Sequence, residues 1–187
     1  YGASMVMGMG GDTPDIYLLV GKCVGGSSVI NGGVCFRTPG YVIDAWRQEH
    51  GLTEITHEEL ERAFAAVESE LSVSRVPEDL HNEGVRRFRA AADRLGYSGH
   101  AIDRNVVGCD GCCRCIVGCP HDAKRNVLVT YIAKAVERGA RVYSDTRVER
   151  ILTRSGRATG VVAHVIDRQA GPRVHSVRVS ARIVILA

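Results

Sequence analysis

A mixed α/β fold, helical in its middle and ending in a β-sheet, is what the sequence predicts, and three observations predict it. Apolar residues recur at helical spacing in three separate stretches. The last third is rich in Val and Ile and is broken by turn residues, the pattern of strands. A run of small residues near the start can be neither regular helix nor regular strand.

That run is Gly21-Lys22-Cys23-Val24-Gly25-Gly26-Ser27-Ser28-Val29-Ile30-Asn31-Gly32-Gly33. Its glycines predict an ordered loop leading into a helix. Further on, Thr56 with Glu59 three residues later forms a capping-box pattern, and Leu60, Phe64, Val67 and Leu71 follow at helical spacing. They predict a helix over about 58–71. Val85, Phe88, Ala92 and Leu95 repeat the spacing, with Gly96 where a left-handed C-terminal cap belongs. Leu128, Ile132, Ala135 and Val136 mark a third helix stopped at Gly139. Strands are predicted at Arg141 to Tyr143, Val148 to Thr153, Gly160 to Ile166 and Val174 to Leu186, with turns at Ser155-Gly156 and Gly171-Pro172.

The chain has 187 residues, 45% of them apolar, enough for one substantial core. Its 24 basic and 21 acidic residues give a net charge of +3 and are spread along the sequence. A nucleic-acid footprint needs a clustered basic stripe, so that partner class is set aside. Arg86, Arg87 and Arg89, the densest cluster, fit a solvated helix face. The apolar stretch from Ile16 to Val20 falls far short of the roughly 18 residues that span a bilayer. Tyr1 to Gly11 has no charged leader region, and Ile183 to Ala187 breaks off inside an apolar run, which together suggest a fragment cut at both ends. The compartment stays open.

Small residues let backbone N–H groups approach a ligand without obstruction, which suits a phosphate or pyrophosphate near a helix N-terminus. A tight glycine turn packing one helix on another would use the same residues. The neighbours break the tie. Gly-Lys-Cys-Val-Gly-Gly-Ser-Ser-Val-Ile-Asn-Gly, a few residues before Arg37, closely resembles the first signature of the glucose-methanol-choline (GMC) oxidoreductases. Pro39-Gly40-Tyr41, Asp44, Trp46, Tyr131, Gly139-Ala140, Val148 to Ile151, Gly156, Ala158, Gly160-Val161 and Ile183 to Ala187 extend the resemblance over nearly the whole chain.

The resemblance implies part of an FAD-binding domain. It divides into a flavin-contacting glycine-rich region (1–40), a helical segment (41–108), a cysteine-rich loop (109–124) and a helix with a sheet (125–187). It implies that Gly25, Gly26, Ser27, Ser28, Asn31 and Gly32 line the FAD, with Val148 approaching the adenine through its backbone. Asn31 also suits an ordinary cap or turn. The expected reaction is hydride transfer from a CH–OH group of an alcohol or sugar to flavin, with an electron-acceptor protein as a further partner. An iron-sulfur electron-transfer module and a noncatalytic relative are the alternatives.

The family's dinucleotide fingerprint is absent: Gly8-Met9-Gly10-Gly11 has the wrong spacing and no strand expected before it. The first Rossmann strand and the substrate domain are thus expected to lie outside the chain, and with them the family's catalytic histidine. His50, His57, His81, His100, His164 and His175 read as structural, and no catalytic residue is assigned. His121 alone stands beside unusual chemistry.

That chemistry is five cysteines between Cys109 and Cys119. Cys109, Cys112, Cys115 and Cys119 have the C-x2-C-x2-C-x3-C-P spacing of bacterial ferredoxins, which implies an iron-sulfur cluster. A disulfide pair or a set of free thiols is equally open, and Cys23 and Cys35 look like small buried residues. Zinc ranks lower, because two cysteine pairs separated by a longer loop are missing. The Gly118 to Lys124 stretch also resembles cysteine-bearing members of the family. Asp122, however, stands where they commonly have glycine, which puts the loop geometry in question.

Overall fold

A computed structural model describes residues 2–8, 16–167 and 171–186. The chain divides into two compact units, residues 1–139 and 140–187.

The first unit opens with β1 (Gly2–Gly8) and β2 (Ile16–Lys22), paired antiparallel from Gly2 opposite Lys22 to Gly8 opposite Ile16. A strand therefore does precede Gly8, against the expectation, but its partner runs antiparallel, so it is no Rossmann strand. Residues 9–11 of the glycine run lie outside the described residues. The loop after β2 closes in a single 3₁₀ turn, Gly26–Ser28. No helix follows directly, because Gly33 (φ 67°) leads into β3 (Val34–Cys35). The first long helix, α1 (Gly40–Glu49), comes later.

α2 (His57–Glu70) matches the predicted helix, and its capping box is complete. Thr56 Oγ1 accepts the Glu59 N–H at 3.1 Å while Glu59 Oε2 accepts the Thr56 N–H at 3.1 Å. Arg37 grips the other end of α2, bonding Glu68 through Nε at 2.7 Å and Nη2 at 2.6 Å, and also Glu61. The guanidinium holds the Glu68 carboxyl below its ordinary value. α3 (Glu83–Arg94) is capped by Asn82, whose Oδ1 accepts the Val85 N–H, and it ends before Gly96 in the left-handed region. Arg86 and Arg87 pair with Glu83, and Arg89 with Glu78, so the arginine cluster is the solvated face expected.

β4 (Ser74–Arg75) and β3 flank β5 (Asp103–Arg104) in a small antiparallel sheet. The third predicted helix begins as a π-helical turn, Leu128–Ile132, in which the Ile132 N–H reaches the Val127 carbonyl at 3.0 Å. It continues as α4 (Ala133–Glu137) and stops at Gly139, φ 91°. Among the described residues of this unit, the buried apolar ones are Val29, Ile30, Ile43, Val106 and Ala123. Four of these five adjoin the glycine loop or the segments around 106 and 123, so the best-packed part of the unit is the part that holds the loop.

The second unit is a three-stranded antiparallel sheet of β6 (Thr146–Arg154), β7 (Arg157–Asp167) and β8 (Gly171–Ser180). Three strand expectations need correction. Arg141 to Tyr143 is not a strand, because pairing starts at Thr146 opposite Val165 and β7 ends at Asp167. Gly171-Pro172 starts β8 instead of turning, a place where proline's missing N–H is tolerated. β8 stops at Ser180, after which the Ala181 N–H makes a last bond to the Thr159 carbonyl at 3.1 Å. Ile183, Ile185 and Leu186 then run on exposed. Among the described residues, no helix is long and apolar enough to cross a membrane.

Thr56→Ala should remove one half of the capping box and lower stability by about 1 kcal/mol, read as a fall in the chemical denaturation midpoint with an unchanged slope. An unchanged midpoint would contradict this account of α2.

Candidate functional site

The glycine loop is built from the inside out by its own hydroxyls and amides. Ser27 Oγ accepts the Gly21 N–H at 3.1 Å, and the Gly26 N–H reaches the Cys23 carbonyl at 2.9 Å. Ser28 Oγ donates to the Gly25 carbonyl at 2.6 Å and accepts the Val127 N–H at 3.2 Å, tying the loop to the start of the π-helical turn. Asn31 Oδ1 accepts the Gly33 N–H at 3.0 Å, so its local role is the turn-forming one.

The two central glycines have different reasons to be glycine. A Cβ on Gly25 (φ 92°) would lie 2.8 Å from Val29 Cγ2 and 2.9 Å from Leu128 Cβ, so this position packs inward. A Cβ on Gly26 (φ 56°) would meet nothing within 4 Å. Its backbone is open on the outer side, and Ser27 and Asn31 are exposed beside it.

Beneath the loop lies Lys124, with none of its surface exposed. Its Nζ donates to the carbonyls of Val29 at 2.7 Å, Asn31 at 2.7 Å and Cys115 at 2.8 Å. An ammonium has three N–H donors, and all three are used. Burial pushes the Lys124 pKa below the usual lysine range, with the Cys115 and Cys119 sulfurs acting the other way. Arg104 supplies a second cation, whose Nη2 donates to the Gly32 carbonyl at 2.8 Å and lies 2.9 Å from Cys115 Sγ. A short ladder places the lysine. The Val107 N–H bonds the Ala123 carbonyl and the Arg125 N–H bonds the Asn105 carbonyl, each at 2.8 Å, on either side of the Val106–Lys124 bridge.

The cysteine-rich segment folds back on itself through residues in left-handed or glycine-only conformations: Gly111 (φ 75°), Cys113 (φ 58°), Gly118 (φ 106°) and Asp122 (φ 51°). The last explains the preference for glycine at position 122. Aspartate tolerates the left-handed region better than most residues, so Asp122 adopts the conformation that glycine would take more freely. All seven cysteines are free in this structure. Cys23 and Cys35 are only half-buried, contrary to expectation, because each sits at the loop's edge with its thiol directed to a loop carbonyl.

The four cysteines of the ferredoxin-like spacing make different hydrogen-bond contacts, although the Cys115 and Cys119 sulfurs both act on Lys124. Cys109 Sγ accepts the Gly111 N–H at 3.5 Å, Cys115 Sγ faces Arg104, and Cys119 Sγ accepts the Lys124 N–H at 3.4 Å. Among the described residues, Asp110, Cys112 and His121 form a group of three Cys, His or carboxylate side chains whose ligand atoms all come within 4.8 Å of one another. Of the expected flavin-lining residues, Gly25, Gly26, Ser27, Ser28, Asn31 and Gly32 share one loop, while Val148 lies in the second unit on β6, opposite Ala163. Sequence reasoning missed Lys124 and Arg104 as the loop's supports, and nothing in the local pattern around either residue marks it as buried or bridging.

The sequence profile described as GMC oxidoreductase matches residues 2–187. The chain belongs to the GMC oxidoreductase family. It is 41% identical over 166 residues to an uncharacterized GMC-type oxidoreductase of Mycobacterium tuberculosis (strain ATCC 25618 / H37Rv), covering 89% of this chain and 26% of that protein. An uncharacterized GMC-type oxidoreductase of Sinorhizobium fredii is 33% identical over 171 residues, covering 91% of this chain and 33% of the relative. A long-chain-alcohol oxidase of Arabidopsis thaliana is 27% identical over 136 residues, 72% of this chain and 18% of the oxidase. The chain thus spans no more than a third of the length of these GMC relatives.

In this GMC chain, Lys124→Met keeps the length of the side chain but takes the ammonium donor from three carbonyls, one in a buried contact and two in part-buried ones. At about 1 kcal/mol or more for each, stability should fall by about 3 kcal/mol in chemical denaturation. A loss below about 1 kcal/mol would show that the three carbonyls find other partners.

Proposed function

We propose that this chain is the flavin-contacting part of an FAD-dependent oxidoreductase that acts on CH–OH groups of alcohols or sugars. The observation that carries the reading is the open backbone at Gly26, flanked by the exposed Ser27 and Asn31, in a loop that rests on two cations. Family membership supports it, and so does the likeness to a protein named for oxidising long-chain alcohols.

The residues present fit a dinucleotide in the two ways that can be tested on this chain. A ligand can approach the main chain at position 26 without meeting a side chain, and the buried ammonium of Lys124 with the guanidinium of Arg104 makes the loop favourable to a polyanion. Gly26, Ser27 and Asn31 would hold the cofactor on the outer side of the loop. Gly25, Ser28 and Gly32 would shape it from within, through the packing on Leu128 and the bonds to Val127 and Arg104. When bound, flavin supplies the two-electron acceptor for a hydride. This chain's own residues bind and orient it, and none of them is assigned the role of accepting the substrate's hydroxyl proton.

Gly26→Asp tests the proposal, because aspartate tolerates the backbone conformation while setting a negative charge on the open side of the loop. The purified protein should carry flavin, and Gly26→Asp should lower its content by more than about tenfold while the circular dichroism spectrum is kept. The neutral Gly26→Asn separates charge from bulk. Full flavin content in Gly26→Asp, or a folded native protein without flavin absorbance, would overturn the reading.

A further inference from the structure

The cysteine-rich segment holds a second constellation that neither the glycine loop nor the ferredoxin-like spacing accounts for. Asp110 and His121 are exposed and Cys112 is half-buried, and their ligand atoms all lie within 4.8 Å of one another. His121 Nε2 is 3.0 Å from Asp110 Oδ2. The other carboxylate oxygen of Asp110 accepts the Cys112 N–H at 3.1 Å, which fixes the carboxylate beside the thiol. The positive-φ residues Gly111, Cys113 and Gly118 let the segment fold back so that residue 121 stands beside 110–112.

We infer that Asp110, Cys112 and His121 form a binding site for a single zinc-like divalent ion, with one coordination position left to solvent or a small ligand. The argument is chemical and geometric. Imidazole nitrogen, thiolate sulfur and carboxylate oxygen are the donor types that zinc takes, at about 2.0–2.3 Å each. Donors at that distance around one tetrahedral centre lie roughly 3.3–3.8 Å apart, so a spread within 4.8 Å needs a contraction of only about 1 Å. Side chains at a loop surface make that adjustment by small rotations. Three protein ligands with an open fourth position is the arrangement of zinc sites that exchange a ligand, whereas purely structural sites are closed by four.

The site is distinct from a four-cysteine cluster, because it uses one of those cysteines with two residues outside the spacing. It also leaves Cys115 and Cys119 in their contacts with Arg104 and Lys124. The inference does not rest on the flavin reading. A bound ion would pin residues 110 and 121 together, closing the loop whose Cys115 carbonyl is one of the three acceptors of Lys124.

Cobalt(II) is the probe. The purified protein, stripped with a chelator, should bind one cobalt(II) per chain with a thiolate-to-metal charge-transfer band, and zinc(II) should displace it. Removing an outer partner of a metal ligand already weakens binding by about ten- to a hundredfold. Losing a ligand itself in His121→Ala, Asp110→Asn or Cys112→Ser should cost at least as much, and Cys112→Ser should also abolish the band. Cys109→Ser and Cys113→Ser should leave affinity and band unchanged. All these positions are exposed or near the surface, and circular dichroism confirms that each variant is folded. Absence of cobalt binding would overturn the inference. So would binding unchanged in His121→Ala, or isolation of the protein with iron and acid-labile sulfide held through Cys109, Cys115 and Cys119.

Discussion

The buried ammonium of Lys124 is the constraint from which the order of the first unit follows. A charge taken fully out of water is tolerable only when its donors are all matched, and here three carbonyls match three N–H groups. Two of them belong to the glycine loop and one to the cysteine-rich segment, so a single side chain sets where these two irregular stretches stand. Each stretch has no more than a single 3₁₀ turn, Gly26–Ser28 and Cys115–Val117, as regular helix of its own. Arg104 repeats the arrangement from β5, with one donor on the Gly32 carbonyl and the same group against Cys115 Sγ.

This gives the glycine loop a rigid underside and an open outer side. Positions that face inward are used up in packing and hydrogen bonds, as with Gly25 against Leu128 and Ser28 against Val127. Gly26 faces outward, where a Cβ would meet nothing within 4 Å, and Ser27 is exposed beside it. The division gives the run of small residues two uses under the proposed function: the inner glycines make room for the scaffold, and the open outer side is where a cofactor would approach.

What was legible in the sequence is what local chemistry decides. The capping box at Thr56 and Glu59 and the glycine stops at 96 and 139 depend on neighbours a few residues away, and they marked helices correctly. The strand expectation at Arg141 to Tyr143 failed because Val and Tyr favour a strand only when another strand is there to pair with. The apolar run after Ser180 failed for the same reason. The π-helical turn at 128–132 reads like an α-helix in spacing and was invisible as a distinct feature. The loop itself was legible through its glycines and serines. Its support was not, since Lys124 acquires its role from carbonyls 95 and 93 residues earlier in the chain. The trio of Asp110, Cys112 and His121 was hidden likewise, because three positive-φ turns must be known before residue 121 can be placed beside residue 110.

Hydrogen–deuterium exchange of the native protein and the Lys124→Met variant tests the role of this lysine most directly. The account predicts that peptides covering 25–33 and 109–119 lose protection together, while α2 keeps its own. Unchanged protection in the glycine loop, or loss confined to the cysteine-rich segment, would contradict it.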